Sequence, residues 1–95
     1  MKRKTDNQQS LLSLPNIGEE MARCLHQAGI TTAHELAKIG SVEAAVLVNP
    51  YKRSGPVCRS ALCAIEGAIR GVRWHSIPKS ERDELWNKYQ LRIKG

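Results

Sequence analysis

The sequence predicts an all-α fold, a compact bundle of about five helices, and three observations point to it. Apolar residues recur at helical spacing through most of the chain, and no alternating run of the kind that makes a half-buried strand appears. Glycine, proline and small polar residues punctuate those runs at about the length of ordinary helices. The material for a core is aliphatic and Ala-rich, since hydrophobic residues make up 41% of the chain while Phe is absent and Trp and Tyr number two each. A chain of 95 residues supplies one modest core and therefore one domain.

Residues 1–10 are polar, basic at their start and have nothing to bury, so they are expected to form a flexible N-terminal arm, with a single helical domain over 11–95. Leu11, Leu12 and Leu14 make a short apolar turn that Pro15 stops, and Gly18 is the expected seat of a positive φ. From Glu19 to Ala28, the residues Met21, Ala22, Leu25 and Ala28 share one helical face, and Gly29 closes the helix. Thr32-Ala33-His34-Glu35 has the form of a capping box, in which the Thr hydroxyl accepts a backbone N–H and the Glu reaches back to the cap.

That short helix ends near Ile39 at Gly40. Ser41 is the expected cap of the next, which takes in Val42, Ala45, Val46 and Val48 before Asn49-Pro50 stops it. Lys52 to Pro56 reads as a loop. Val57 to Val72 carries the widest apolar face, with Leu62, Ile65, Ala68 and Ile69 at its centre, and is expected to be the central, most buried helix. The polar residues left over on it, Arg59, Glu66, Arg70 and Arg73, fall on one solvent stripe, with Glu66 and Arg70 spaced to pair. Gly67 disfavours a helix interior by about 1 kcal/mol relative to Ala, so it marks an expected close helix-helix crossing, with another segment touching it. Pro78 opens the last helix. Glu81, Asp83 and Glu84 lie early in it, Lys88, Arg92 and Lys94 late, and Leu85, Trp86 and Tyr89 face inward with Ile93 as an extension.

Charge is unevenly spread. Residues 1–50 balance, and the whole net charge of +6 comes from Tyr51 to Gly95, where ten basic residues face Glu66, Glu81, Asp83 and Glu84. Cys24, Cys58 and Cys63 are an odd set without zinc-ligand spacing, which predicts neither a disulfide framework nor a metal site; they are expected to be reduced and to pack as small apolar residues on helix faces. No apolar run is long enough to span a bilayer and no secretory signal is present, so a cytoplasmic protein is expected. His26, His34 and His75 are scattered, and no nucleophile set, phosphate loop or paired-His motif accompanies them, so neither catalysis nor a cofactor is expected.

Three segments in order, LPNIGEEMARCLHQAGI, ELAKIGSVEAA and ALCAIEGAIRGVRWHSIP, resemble the C-terminal domain of the TfoX/Sxy family, bacterial regulators of natural competence, and the likeness covers about Leu11 to Tyr89. The resemblance implies a compact bundle of the helix-hairpin-helix, SAM-like kind. It also implies transcriptional co-activation of competence genes, in partnership with a transcription factor of the cyclic-AMP receptor type or with RNA polymerase. Full-length family members carry an additional N-terminal domain, whereas here ten residues precede the matching region.

Two surfaces are candidates for contact with an anionic partner. The hairpin backbone at Asn16, Ile17 and Gly18 can present N–H groups to a phosphate, as turns at helix starts do. However, Asn16 stands where such turns often have a Gly, and Glu19 and Glu20 at the helix start would compete with the phosphate, so an architectural corner is the expected role and a phosphate cradle the alternative. The second surface is Lys52, Arg53, Arg59, Arg70 and Arg73, a site for nucleic acid or an acidic partner, or else a solvated charged face. With few aromatics for base stacking, the most expected of it is weak, salt-sensitive contact with duplex DNA. A monomer or weak dimer is expected, and the two functional readings are a protein-interaction domain and a sequence-tolerant DNA-binding domain.

Overall fold

The computed structural model describes residues 11–94. The expected arm over 1–10 lies outside them. Among the described residues there is no strand, and the chain forms an all-α bundle with five helices: α1 Glu19–Gln27, α2 Ala33–Ile39, α3 Ser41–Val48, α4 Arg59–Arg70 and α5 Lys79–Lys94. Single 3-10 turns at Asn49–Tyr51 and Trp74–Ser76 follow α3 and precede α5. Leu11 and Leu12 are helical, and the turn after them leads into α1.

The hub of the bundle is α3 rather than α4. α3 packs against α1, α2, α4 and α5, and its Ala44, Ala45 and Val48 are fully buried. Its sequence, SVEAAVLV, is apolar on nearly all sides, which suits a helix that packs against four others, and its alanines let neighbouring backbones come close, although Leu47 stays exposed. The more amphipathic α4 buries one side only, with Leu62, Cys63, Ile65, Gly67 and Ala68 inside. It is also shorter than the Val57–Val72 span: Cys58 is its N-cap, Gly71 ends it, and Val72 is exposed.

Local signals decide the joints. Thr32 Oγ1 accepts the Glu35 N–H at 3.1 Å, as a capping box requires. The Glu35 carboxylate, however, passes over Thr32 and accepts from Thr31, at 2.8 Å from the backbone N–H and 3.0 Å from the hydroxyl. Those bonds, led by the one from the Thr31 backbone, hold its carboxyl below the usual glutamate range. Gly40, at φ 89°, is the sole residue between α2 and α3 and supplies the α3 N-cap, a conformation that only glycine adopts cheaply. Ser41 is therefore not the cap. It is the first residue of the helix, is 4% exposed, and its hydroxyl donates across to Glu66 Oε1 on α4 at 2.6 Å.

α5 closes the bundle through Tyr89, which is buried, and through half-buried Leu85 and Trp86; the Trp86 and Tyr89 rings stack at 5.4 Å. Burial raises the Tyr89 hydroxyl above its ordinary pKa. Ile93 does not extend this face and is half exposed. A paired Arg–carboxylate fork from Arg92 to Glu43, at 3.0 and 2.9 Å, fastens the end of α5 to α3. Among the described residues no helix is long and apolar enough to cross a membrane, and no group of His, Cys, Asp and Glu could hold a metal ion.

Candidate interaction surface

Of the hairpin residues, Ile17 is buried, Asn16 is half-buried and Gly18 is exposed. Asn16, not Gly18, takes the positive φ, at 71°, while Gly18 is extended at φ −97° and forms the N-cap of α1. Asn tolerates the left-handed region better than other side-bearing residues, and here its amide gains long-range partners from that pose. Asn16 Nδ2 donates to the Val72 carbonyl at 2.9 Å and to Ala64 at 3.4 Å, and Asn16 Oδ1 accepts the Trp74 N–H at 3.4 Å. Ile17 is buried in the core. The turn thus stitches the start of the domain to the chain leaving α4. The expected close approach at Gly67 is this same contact: a Cβ there would lie 2.6 Å from Asn16 Nδ2 and 2.7 Å from the Val72 carbonyl oxygen. The approaching partner is a loop, where a helix crossing was the expectation.

The five basic residues fall into two groups. Lys52 and Arg53 belong to the loop after α3, and Glu20 of α1 gathers that loop by accepting the backbone N–H groups of Arg53 at 3.1 Å and Ser54 at 3.3 Å, with Lys52 Nζ 3.8 Å away. The Arg53 N–H leads the causes that lower the Glu20 carboxyl below its ordinary range. Glu20 is therefore a loop clamp, a role its place at a helix start did not suggest. The open depression beside it, about 480 Å³, is lined by Glu19, Glu20, Arg23, Arg53 and Ser54 and so carries both signs of charge.

Arg59 and Arg70 lie three turns apart on α4, partly exposed, and both reach carboxylates of α5. Arg59 pairs with Asp83. Arg70 pairs with Glu66 at 2.7 Å and with Glu81 at 2.8 Å, and these two carboxylates raise its pKa further. The predicted solvent stripe is a partly exposed salt-bridge seam between α4 and α5, with Glu66 also receiving Ser41. Arg73 is exposed, and among the described residues no ion pair involves Arg73 or Arg53.

A second depression, about 340 Å³, lies at the start of α4 and is lined by Cys58, Arg59, Ser60, Cys63, Trp74 and Arg82. Arg82 lies over the Trp74 ring, 5.5 Å from its centroid, and its Nε donates to the Ile77 carbonyl at 3.0 Å. Two of the three cysteines behave as expected: Cys24 and Cys63 are buried. Cys58 does not, since it is exposed at the N-cap of α4, with its sulfur 3.3 Å from Ser60 Oγ. Ser60 foremost, with the N–H groups of the first turn, lowers the Cys58 thiol, while burial raises Cys63. The signal in the sequence was the position: Cys58 stands where a helix start lacks Ser, Thr, Asp or Asn, and a sulfur there reads as apolar if only periodicity is counted.

The family described as the TfoX C-terminal domain matches over residues 7–89. No curated protein matches the chain. Two crystal structures from Listeria monocytogenes are similar at 40% identity. One, of an uncharacterized protein in a triclinic form, aligns with 90% of this chain and 93% of its own at a TM-score of 0.77. The other, of a protein of unknown function in a tetragonal form, aligns with 87% of this chain and 99% of its own at a TM-score of 0.74.

Proposed function

The chain belongs to the TfoX C-terminal domain family, and from that premise we propose that it is a non-enzymatic regulatory domain that works by binding a protein. The partner class is a transcription factor of the cyclic-AMP receptor type or RNA polymerase, and the setting is transcriptional control of competence. One observation carries the choice of protein over DNA: the groups best suited to grip phosphate are already occupied within the fold. Arg59 and Arg70 are held by carboxylates of α5, Lys52 stands beside Glu20, and the Asn16 amide is hydrogen-bonded to the chain after α4. Exposed ion pairs of this kind contribute little to stability, yet each must be given up before its cation can serve a phosphate.

The runner-up reading is weak duplex binding, favoured by Arg53 and Arg73, which no described carboxylate neutralises, and by the net charge of +6. Calorimetric titration separates the two. The nuclease-treated domain is titrated with a purified cyclic-AMP receptor-type factor in the presence of cyclic AMP, with RNA polymerase, and with an unrelated DNA duplex at two salt concentrations. Binding to one of the proteins, alongside duplex binding that vanishes at the higher salt, is the expected result. Salt-resistant duplex binding with no affinity for either protein overturns it.

A further inference from the structure

We propose that Cys58 is a site of reversible S-thiolation, and that the pocket at the start of α4 accepts an anionic low-molecular-weight disulfide. The argument rests on what the pocket brings together. Cys58 is exposed on its rim, and the first-turn N–H groups of a twelve-residue helix lie beside the sulfur. No side chain caps that helix, so the positive end of α4 is open to the pocket. Arg59 and Arg82 add two guanidinium groups to the wall; Arg59 is paired with Asp83 of α5, which Lys79 also contacts at 3.1 Å. Trp74 supplies an apolar face for the organic part of a ligand. Independently of the helix end, Cys63 is fully buried, forms part of the same wall, and its S–H takes part in no hydrogen bond among the described residues. An incoming sulfur or carboxylate gives that donor a partner.

The two cysteines have different roles because their surroundings differ. The groups around Cys58 favour its thiolate, the attacking form, while burial keeps Cys63 a thiol. In the step, the Cys58 thiolate attacks one sulfur of R–S–S–R, where R bears a carboxylate. A Cys58 Sγ–S bond forms, the original S–S bond breaks, and its electron pair leaves with the second sulfur as R–S⁻. That thiolate takes up the proton that Cys58 released on ionising. No further oxidant is needed, and an excess of R–SH reverses the reaction. The adduct's carboxylate then stands beside Arg59 and competes with Asp83 for it.

The probes are three disulfides of different charge: the dianion 5,5′-dithiobis(2-nitrobenzoate), neutral hydroxyethyl disulfide and cationic cystamine, each also run with N-acetylcysteine amide as the free-thiol reference. Peptide mass mapping of the full chain is expected to find the adduct on Cys58 alone, and Cys58→Ala to abolish it. Relative to the free thiol, the domain is expected to prefer the dianion over cystamine by about tenfold, a preference that shrinks with added salt. Arg82→Gln should erode it too. Because Arg82 also bonds the Ile77 carbonyl, Arg59→Gln is run beside it with circular dichroism on both. First modification at Cys24 or Cys63, or a charge preference no greater than that of the free thiol, overturns the proposal.

Discussion

The side-chain amide of Asn16 fills the space that a side chain at residue 67 would need, with Nδ2 lying 2.6 Å from where a Cβ on Gly67 would be. Two residues more than fifty positions apart are thereby made to specify each other: the glycine leaves the gap, and the asparagine uses it to reach the Val72 carbonyl.

Gly67→Ala is therefore expected to destabilise the fold. Helix propensity alone would favour Ala by about 1 kcal/mol. Against that, the added methyl meets a backbone oxygen at 2.7 Å that cannot swing away, as well as the Asn16 amide. Overpacking of this kind costs about 1–3 kcal/mol, so the net effect should be a loss, read as a lower midpoint in urea unfolding. An unchanged or higher midpoint would show that the loop after α4 yields freely.

Glu20→Ala is expected to loosen the 52–54 loop without unfolding the bundle. Limited digestion with trypsin should cut after Lys52 and Arg53 faster than in the parent chain, because the carboxylate that holds the Arg53 and Ser54 N–H groups is gone. The same clamp has a pH signature. The folded-state pKa of Glu20 is depressed, so its contribution is present above the ordinary glutamate pKa and is lost as pH falls through the lowered value. Acidification should accelerate cleavage of the parent loop toward the variant's rate, assayed with an acid-tolerant protease.

The charge-removing pair Arg53→Gln and Arg73→Gln should leave the thermal melt unchanged, since neither guanidinium is tied by an ion pair among the described residues. Any duplex binding by the parent should weaken across unrelated sequences, with the log–log salt slope reduced by about 0.9 for each phosphate no longer neutralised. Arg70→Glu is different. It sets a third carboxylate against Glu66 and Glu81 and should lower the melting temperature. Equal melts for Arg70→Glu and the parent would mean that the seam between α4 and α5 does not hold in solution.

Cys58→Asp should stabilise the domain at neutral pH by about 1 kcal/mol, because a carboxylate at the N-cap accepts first-turn N–H groups and complements the helix dipole. Chemical denaturation of the two proteins side by side provides the measurement. A loss of stability would argue that the thiol packs better than its exposure suggests.

How much of this was legible beforehand depends on range. The helices, the Thr32 cap and the joint at Gly40 follow from residues within a turn of one another, and periodicity captures them. What periodicity misses are side chains whose partners are distant in sequence. Ser41 has the chemistry of a cap and stands at a helix start, yet its hydroxyl finds Glu66 on another helix. Arg59 and Arg70 were correctly placed on one face of α4, but only the position of α5 turns that face into a seam. Asn16 departs from the Gly pattern of a phosphate-binding turn, a departure that favoured an architectural corner, but its Val72 and Trp74 partners were invisible in the sequence. The reading of α4 as the hub failed because apolar width was weighed without asking which helix the others pack against.

The placement of α3 has a consequence for how the molecule opens. Eight residues are too few to hold a helix in water, so α3 depends on its neighbours, and those neighbours come from the chain on both sides of it. No contiguous half of the described domain contains the hub together with all the helices that pack on it. The transition should accordingly be all-or-none, with no stable subdomain to populate. In native-state hydrogen exchange, the Ala45 and Val48 amides should be released only with the global unfolding free energy, while the end of α5 near Leu91 and Ile93 frays long before.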